Sequence, residues 1–598
     1  MPNGDLSLTL PLTLTRSLPL PLPLTPTLNP NPGECTDCTA AHAALSVSGL
    51  TNGLTSLLKK RRAAFDSRLL SQLGLRGRPE REVAFASHAL SALLGSMGFF
   101  YGSSSVAPPR RGPKGLRVRQ TPPASLLAVV PSRPFFPRGF LWDEGFHQLV
   151  VGAWDPELAD AILASWLGLM HTDGWIPREQ ILGAEAEARV PAEFMPQHRD
   201  QANPPALMLR IHSFLNSLPP ELPELPAHRA AQVGEDPWVP TEPGSPAAQA
   251  RTLSLLREMW PRLVKWHSWF LRTQAGERAH SFRWRGRDAN DKKLNAMTLA
   301  SGLDDYPRAT TPSKAERHVD LHSWAAFFTK VLAQLAARLG LDEQAASYAA
   351  QRDVLLASLL EHHWSPEADA FCDWGQHANA GDFRPFYVVK CASADGASQV
   401  EHDILDPNRP DCPRSHPRFM FPLGDGQGGL LTRAHFVPRG TKEQFVQHLG
   451  YVSLFPLLLR LLPTDSPQLL PVIELLRDPH RLWSDHGLRS LSKADRLWYG
   501  RENAPGDAPY WRGPIWINLN YLALSGLHHY AALPGAAQSR AAAVYQELRS
   551  NLLSTMVDEY ERTGYLWEQY DQDTGRGQRT HPFNGWSSLA LLAVAERY

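Results

Sequence analysis

From about residue 80 onward, apolar side chains recur every three or four positions. The stretch EVAFASHALSALLGSMGFFYG keeps that spacing and stops near Gly102, which predicts an amphipathic helix with one buried face. The same period predicts helices near 144–152, 157–171, 200–216, 248–272, 318–339, 342–363, 443–462, 466–477, 514–532, 537–561 and 584–597. Between them no alternation of polar and apolar residues is long enough to read as a strand. The pattern therefore predicts an all-α chain. About twelve helices with polar loops between pairs suggest a closed ring of helical hairpins, an (α/α)6 toroid. An open solenoid of helices should carry a repeat period, and none is present.

The loops are long at 131–143, 173–198, 281–317 and 483–513, and they are rich in Trp, Gly, Pro and charge. Long structured loops inside a compact domain usually carry function. Two other stretches read as surface insertions: the Pro/Glu-rich 218–246, and 391–417, which lacks periodicity. Helices of one style flank both, so 80–598 reads as one catalytic domain. Residues 1–79 read as a low-complexity, mostly disordered N-terminal segment. Its LSLTLPLTLTRSLPLPLPLTPTL, residues 6–28, is broken by Pro and Thr and has no basic start. Neither a secretory signal nor a membrane helix fits that composition.

Composition narrows the chemistry. Lys and Arg number 60 against 60 Asp and Glu, and this neutrality argues against a nucleic-acid partner, which asks for a basic face. Many of the 18 Trp adjoin Asp, Glu, Arg or Gly rather than apolar runs. Rings beside fixed polar groups suit a sugar, whose C–H faces stack while its hydroxyls hydrogen-bond. The five cysteines are too scattered for a disulfide framework. Cys35 and Cys38 form a C-x-x-C without a second pair, whereas Cys391 and Cys412 could close one loop in an oxidising compartment. There is no G-x-S-x-G elbow, P-loop, Rossmann glycine fingerprint or H-E-x-x-H.

Glycosidic hydrolysis needs two carboxyl groups flanking the bond, one protonated and one ionised. Three loop clusters offer them. SGLDDYPRATTPSKAERHVDLHSW, residues 301–324, holds Asp304 and Asp305 ahead of a helix beginning near His318. Adjacent like charges favour retention of one proton, but spacing does not say by which residue. Glu316 and Asp320 are four apart and would share a helix face; a capped helix with a solvated acidic start is the plainer reading. GYLWEQYDQDTGRG, residues 564–577, sets Glu568 between Trp567 and Gln569, a setting that suits a base positioning a water. FFPRGFLWDEGFHQL and DGWIPREQILGAEAEARVPAEF alternate ring and charge through Arg138, Trp142, Asp143, Trp175, Arg178 and Glu179, and PYWRGPIWINLNY adds Trp511 and Arg512.

These segments, together with LGYVSLFPLLLRLL and AERHVDLHSW, resemble glycoside hydrolase family 63, and within it the eukaryotic processing α-glucosidases. The likeness runs from about residue 80 to Tyr598. It implies an (α/α)6 toroid and an inverting exo-α-glucosidase that needs no metal or organic cofactor. The implied substrate is the terminal α-1,2-linked glucose of the triglucosylated N-glycan precursor, in the endoplasmic reticulum. The family's acid lies in the SG-x-D segment, which falls on Asp304; its base lies in the WEQY-like segment, which falls on Glu568. Glu316 and Asp320 match acidic residues of the substrate-binding motif. Arg138, Trp142, Asp143, Trp175, Arg178, Glu179, Trp511 and Arg512 are the candidates for holding the glucose. Inversion then requires the two carboxyls to stand about 6.5–9.5 Å apart, leaving room for a water.

The chain departs from the resemblance at its N-terminus. Eukaryotic members carry a cytosolic tail, one membrane helix and a β-rich domain before the toroid, and only about eighty residues precede it here. Two alternatives follow. One is an inverting glucosidase acting on other small α-glucosides. The other is an inactive carbohydrate-binding relic.

Overall fold

A computed structural model describes residues 47–108, 117–219, 244–287, 295–409, 411–498 and 508–598. The Cys35/Cys38 pair and most of the 218–246 stretch lie outside the described residues. Two compact units divide the chain, Met1–Ser67 and Arg68–Tyr598. Within the N-terminal segment expected to lack order, Val47–Gln72 forms a helix, α1, whose Leu54, Leu57 and Leu58 are exposed. No helix among the described residues is long and apolar enough to cross a membrane.

The second unit alternates two kinds of helix. Leu141–Trp154 (α3), Leu207–Ser217 (α5), Val319–Arg338 (α7), Tyr451–Leu458 (α9) and Ile517–Ala532 (α11) are buried over most of their surface. Such helices are apolar nearly all round because neighbours cover every side. Glu80–Gly95 (α2), Pro156–Gly168 (α4), Pro246–Gln274 (α6), Asp342–His363 (α8), Leu469–Arg477 (α10) and Gln538–Thr563 (α12) alternate with them and bury a stripe. The chain closes with a 3-10 turn, Trp586–Leu589, running into Ala590–Val594 (α13).

Local chemistry starts some of these helices visibly. Asp155 caps α4 by accepting the Leu158 N–H at 3.0 Å, with Pro156 in the first turn. Ser245 and Pro246 repeat the device at α6.

The buried helices contact one another in sequence: α3 packs on α5, α5 on α7, α7 on α9, and α9 on α11. The Trp586–Leu589 turn completes the series by packing on both α11 and α3. The outer helices lie against these, α4 on α3, α8 on α7, α10 on α9 and α12 on α11.

Strands correct the all-α expectation. Met97–Gly102 (β1) pairs antiparallel with Ala124–Val129 (β2), so α2 ends at Gly95 rather than near Gly102. Asp373–His377 (β3) pairs with Lys442–Val446, which takes the start of the helix expected at 443–462. A four-stranded antiparallel sheet joins Ala380–Ala392 (β4), Gln399–Ile404 (β5), Arg418–Pro422 (β6) and Thr432–Arg439 (β7). It occupies the 391–417 region read as an aperiodic insertion. Val389, Cys391 and Ile404 form its small core, and a disulfide links Cys391 to Cys412.

Candidate active site

Two loops meet first. Gly139–Phe140 pairs antiparallel with Glu179–Gln180, and the Leu141 N–H donates to the Arg178 carbonyl at 2.9 Å. This short ladder brings the FFPRGFLWDE and DGWIPREQ segments side by side. Arg138 Nε donates to Glu179 Oε2 at 2.7 Å, with both side chains buried, and the guanidinium lies 4.6 Å from the Phe140 ring centroid. Arg178 reaches 3.5 Å from Glu179 and 3.7 Å from Asp304 Oδ1.

Asp304 arrives on a loop turned at Gly302, whose φ of +77° is open to glycine. A Cβ there would also meet the Trp142 ring at 2.9 Å. Trp142 is seated by Asn203, whose Oδ1 accepts the Trp142 N–H at 3.1 Å and whose amide donates to the Ala300 carbonyl. Trp511 stacks on Trp516 at 3.7 Å, and Trp142 and Trp586 meet Trp511 edge-on.

Glu568 stands just before a two-residue ladder, Gln569–Tyr570 with Gly577–Gln578. Its Oε2 accepts the Thr580 N–H at 3.1 Å and its Oε1 accepts the Tyr510 hydroxyl.

One cavity gathers these groups. It holds about 680 Å³ of empty space, its open mouth included, and is lined by Arg138, Trp142, Asp143, Arg178, Glu179, Asp304, Trp511 and Glu568 together with Phe136, Phe140, Asn203, Tyr510, Phe583 and Trp586. Its rings with a few convergent polar groups match the lining usual for small-ligand sites.

The electrostatics separate the carboxyls. Asp304 is pushed up to about 7, chiefly by burial, with Asp305, Glu179 and Glu568 adding to the rise and Arg178 opposing it. Burial also holds Asp143 well above the ordinary carboxylate range. Asp305, which spacing could not distinguish from Asp304, is 3% exposed. Its carboxylate accepts from the backbone N–H groups of Tyr510 and Trp511 and from Arg512 Nε, at 3.0, 2.6 and 3.0 Å. Asp304, with a side chain 19% exposed, is the member of the pair that faces the cavity.

Four expected site residues lie outside the lining. Trp175 is buried, donating to the Gln201 carbonyl at 3.0 Å. Arg512 is buried against Asp305. Glu316 and Asp320 do not share a helix face, because α7 begins at Val319 and Glu316 precedes it. Glu316 is ion-paired with Arg287, and Asp320 takes both Arg308 nitrogens and the Trp284 indole N–H. Their burial in ion pairs is why neither reaches the cavity.

Sequence reasoning passed over Tyr510, Asn203, Phe136, Phe140, Phe583 and Trp586. Tyr510 heads the PYWRG segment already singled out, and Phe136 and Phe140 flank Arg138, so the ring-and-charge signal extended to them. Asn203 carried no such signal.

The pattern of the glycosyl hydrolase family 63 C-terminal domain matches residues 50–403 and 422–596. Mannosyl-oligosaccharide glucosidase of Arabidopsis thaliana is 38% identical over 561 residues, which cover 92% of this chain and 59% of that protein. A probable mannosyl-oligosaccharide glucosidase of Schizosaccharomyces pombe is 37% identical, covering 86% and 58%. The chain thus spans somewhat over half the length of these relatives. Among solved structures, a mannosylglycerate hydrolase of Thermus thermophilus in complex with glucose is 14% identical with a TM-score of 0.49, covering 86% of this chain and 99% of that one.

Proposed function

Because the chain belongs to glycosyl hydrolase family 63, we propose that its cavity hydrolyses a terminal α-linked glucose from an oligosaccharide, with inversion. The preferred substrate is the α-1,2-linked glucose of the triglucosylated N-glycan precursor, met in the endoplasmic reticulum. The alternating inner and outer helices, whose inner contacts return to α3, support an (α/α)6 toroid as the scaffold.

One observation carries the reading. Two carboxyl groups share a cavity under opposite conditions, Asp304 pushed up to about 7 and Glu568 held by two donors. An acid near 7 keeps its proton up to neutral pH and delivers it to the leaving oxygen. A carboxylate fixed by donors takes a proton from water as that water attacks C1 from the opposite face. Bond cleavage leaves a sugar hydroxyl on the leaving side and a β-anomeric hydroxyl on glucose. Asp143, Arg138, Arg178 and Glu179 hydrogen-bond the glucose hydroxyls, while Trp142 and Trp511 line its carbon face. Trp175, Arg512, Glu316 and Asp320 act from behind, holding the elements that bear these groups.

The test is to incubate the chain with a triglucosylated high-mannose glycan and follow the anomeric protons of released glucose by NMR. β-Glucose should appear first, and Asp304→Asn should abolish it. Early α-glucose would sink the inverting assignment. Release from small α-glucosides but not from the glycan would move the substrate to that class, and binding without release would favour the inactive relic.

A further inference from the structure

The proposed acid and base sit on segments far apart in sequence, yet the chemistry needs them at a fixed separation. Something must hold Glu568 relative to Asp304. We propose that Asp305 and Tyr510 are positioning residues that fix and orient the Glu568 carboxylate, an inference that rests on the base role given to Glu568 above.

The linkage can be followed atom by atom. Asp305 has no exposure to spare for substrate; its two oxygens accept the Tyr510 and Trp511 N–H groups and Arg512 Nε. Backbone and side chain of three consecutive residues are thereby pinned to the segment that bears Asp304. Trp516 tightens the same loop by donating its indole N–H to the Tyr510 carbonyl at 3.2 Å and meeting the Tyr510 ring edge-on at 4.7 Å. Arg579 lies over that ring at 5.4 Å and donates to the Ala508 and Pro509 carbonyls. The phenol is left with one direction, and it points its hydroxyl at Glu568 Oε1.

Two physical consequences follow. A carboxylate offers about four lone-pair directions; the Tyr510 hydroxyl and the Thr580 N–H use two, and the rest are free to accept from water. Burial holds the Tyr510 phenol well above its ordinary range, so the hydroxyl remains a donor wherever the enzyme works. Displacements of about 1 Å at a reacting group can cost on the order of a hundredfold in rate. A clamp built from the acid's own neighbour therefore has catalytic value beyond stability.

Tyr510→Phe removes the donor and leaves the clamp. Activity on the triglucosylated glycan should fall about 10- to 100-fold in kcat, as loss of a hydrogen bond to a charged group predicts. KM should stay within about twofold. A packing role alone would lower Tm and leave kcat per folded molecule in place. Asp305→Asn tests the clamp, and the double variant tests the route: if Asp305 acts through Tyr510, the double loss in kcat is smaller than the product of the single losses. Should Asp305→Asn fail to fold, Arg512→Lys keeps the charge, loosens the clamp and enters the same cycle. Wild-type kcat per folded molecule in Tyr510→Phe would overturn the proposal while leaving the proposed function intact. Multiplicative losses would overturn the role of Asp305. No glucose release by the wild-type chain from any α-glucoside would overturn the base assignment and this inference with it.

Discussion

A carboxyl that must hold its proton near neutrality carries a cost for the fold that bears it. Asp304 titrates near 7 in the folded chain against about 3.9 when unfolded. Below about pH 4 the group is neutral in both states, and its contribution to stability is fully present. As pH rises from about 4 through 7 that contribution is lost, because the unfolded chain gives up this proton while the folded chain keeps it, and above 7 the loss is complete. The upper bound is on the order of 4 kcal/mol. Asp304→Asn should therefore melt with the wild type at pH 4 and above it at pH 8, while losing turnover at both. Equal Tm differences at the two pH values would refute the shift. The same group sets an expectation for rate: the basic limb of kcat/KM should fall near pH 7. Which aspartate plays this part was not legible from spacing, because Asp304 and Asp305 are sequence neighbours in the same loop. Only their partners separate them, one facing the cavity and the other spent on three donors.

Elements are positioned by buried charge as well as by apolar faces. Arg308 joins Asp320 at the start of α7 to Asp373 at the start of β3, at 2.6 and 2.9 Å, and Asp373 also accepts the Val319 N–H at 2.8 Å. Arg308→Ala leaves two carboxylates buried without their cation. Denaturant unfolding should show a loss of about 3–5 kcal/mol; a loss under about 1 kcal/mol would show the network to be dispensable. The legibility of elements follows the same physics. Helices α7 and α11 were readable because apolar residues recur at helical spacing along their whole length. The sheet was not, because Phe419, Met420 and Phe421 in β6 are all partly exposed and so show no alternation, and Pro385 interrupts β4. That proline is tolerated because β5 pairs with β4 only from Tyr387 onward, leaving one edge of β4 open there. The disulfide fastens this sheet, closing a loop between residues 21 apart. Replacing Cys391 and Cys412 with Ala should cost about 3 kcal/mol and leave the rate of glucose release unchanged, since none of the cavity-lining residues belongs to β4–β7.

At the scale of the second unit, the cavity depends on how closely successive inner helices approach. Gly145 in α3 faces the backbone of Ala206, immediately before α5, and a Cβ at Gly145 would fall on the Ala206 carbonyl. The approach is a contact between main chains, so no side-chain rotation can relieve a methyl group placed there. Gly145→Ala must push α3 and α5 apart, and overpacking of that kind costs about 1–3 kcal/mol. The first turn of α3 carries Trp142 and Asp143, and Asn203, just ahead of Ala206, holds the Trp142 N–H. The displacement therefore reaches the cavity wall directly. Activity should fall further than stability accounts for: glucose release reduced at least about tenfold at temperatures where the variant is fully folded, as a misplacement near 1 Å permits. Circular dichroism establishes the folded fraction, and the glycan assay gives the rate per folded molecule. A fully active Gly145→Ala chain would mean that α3 and α5 yield without moving the site, and that the wall facing Asp304 is held by the Gly139–Phe140 ladder alone.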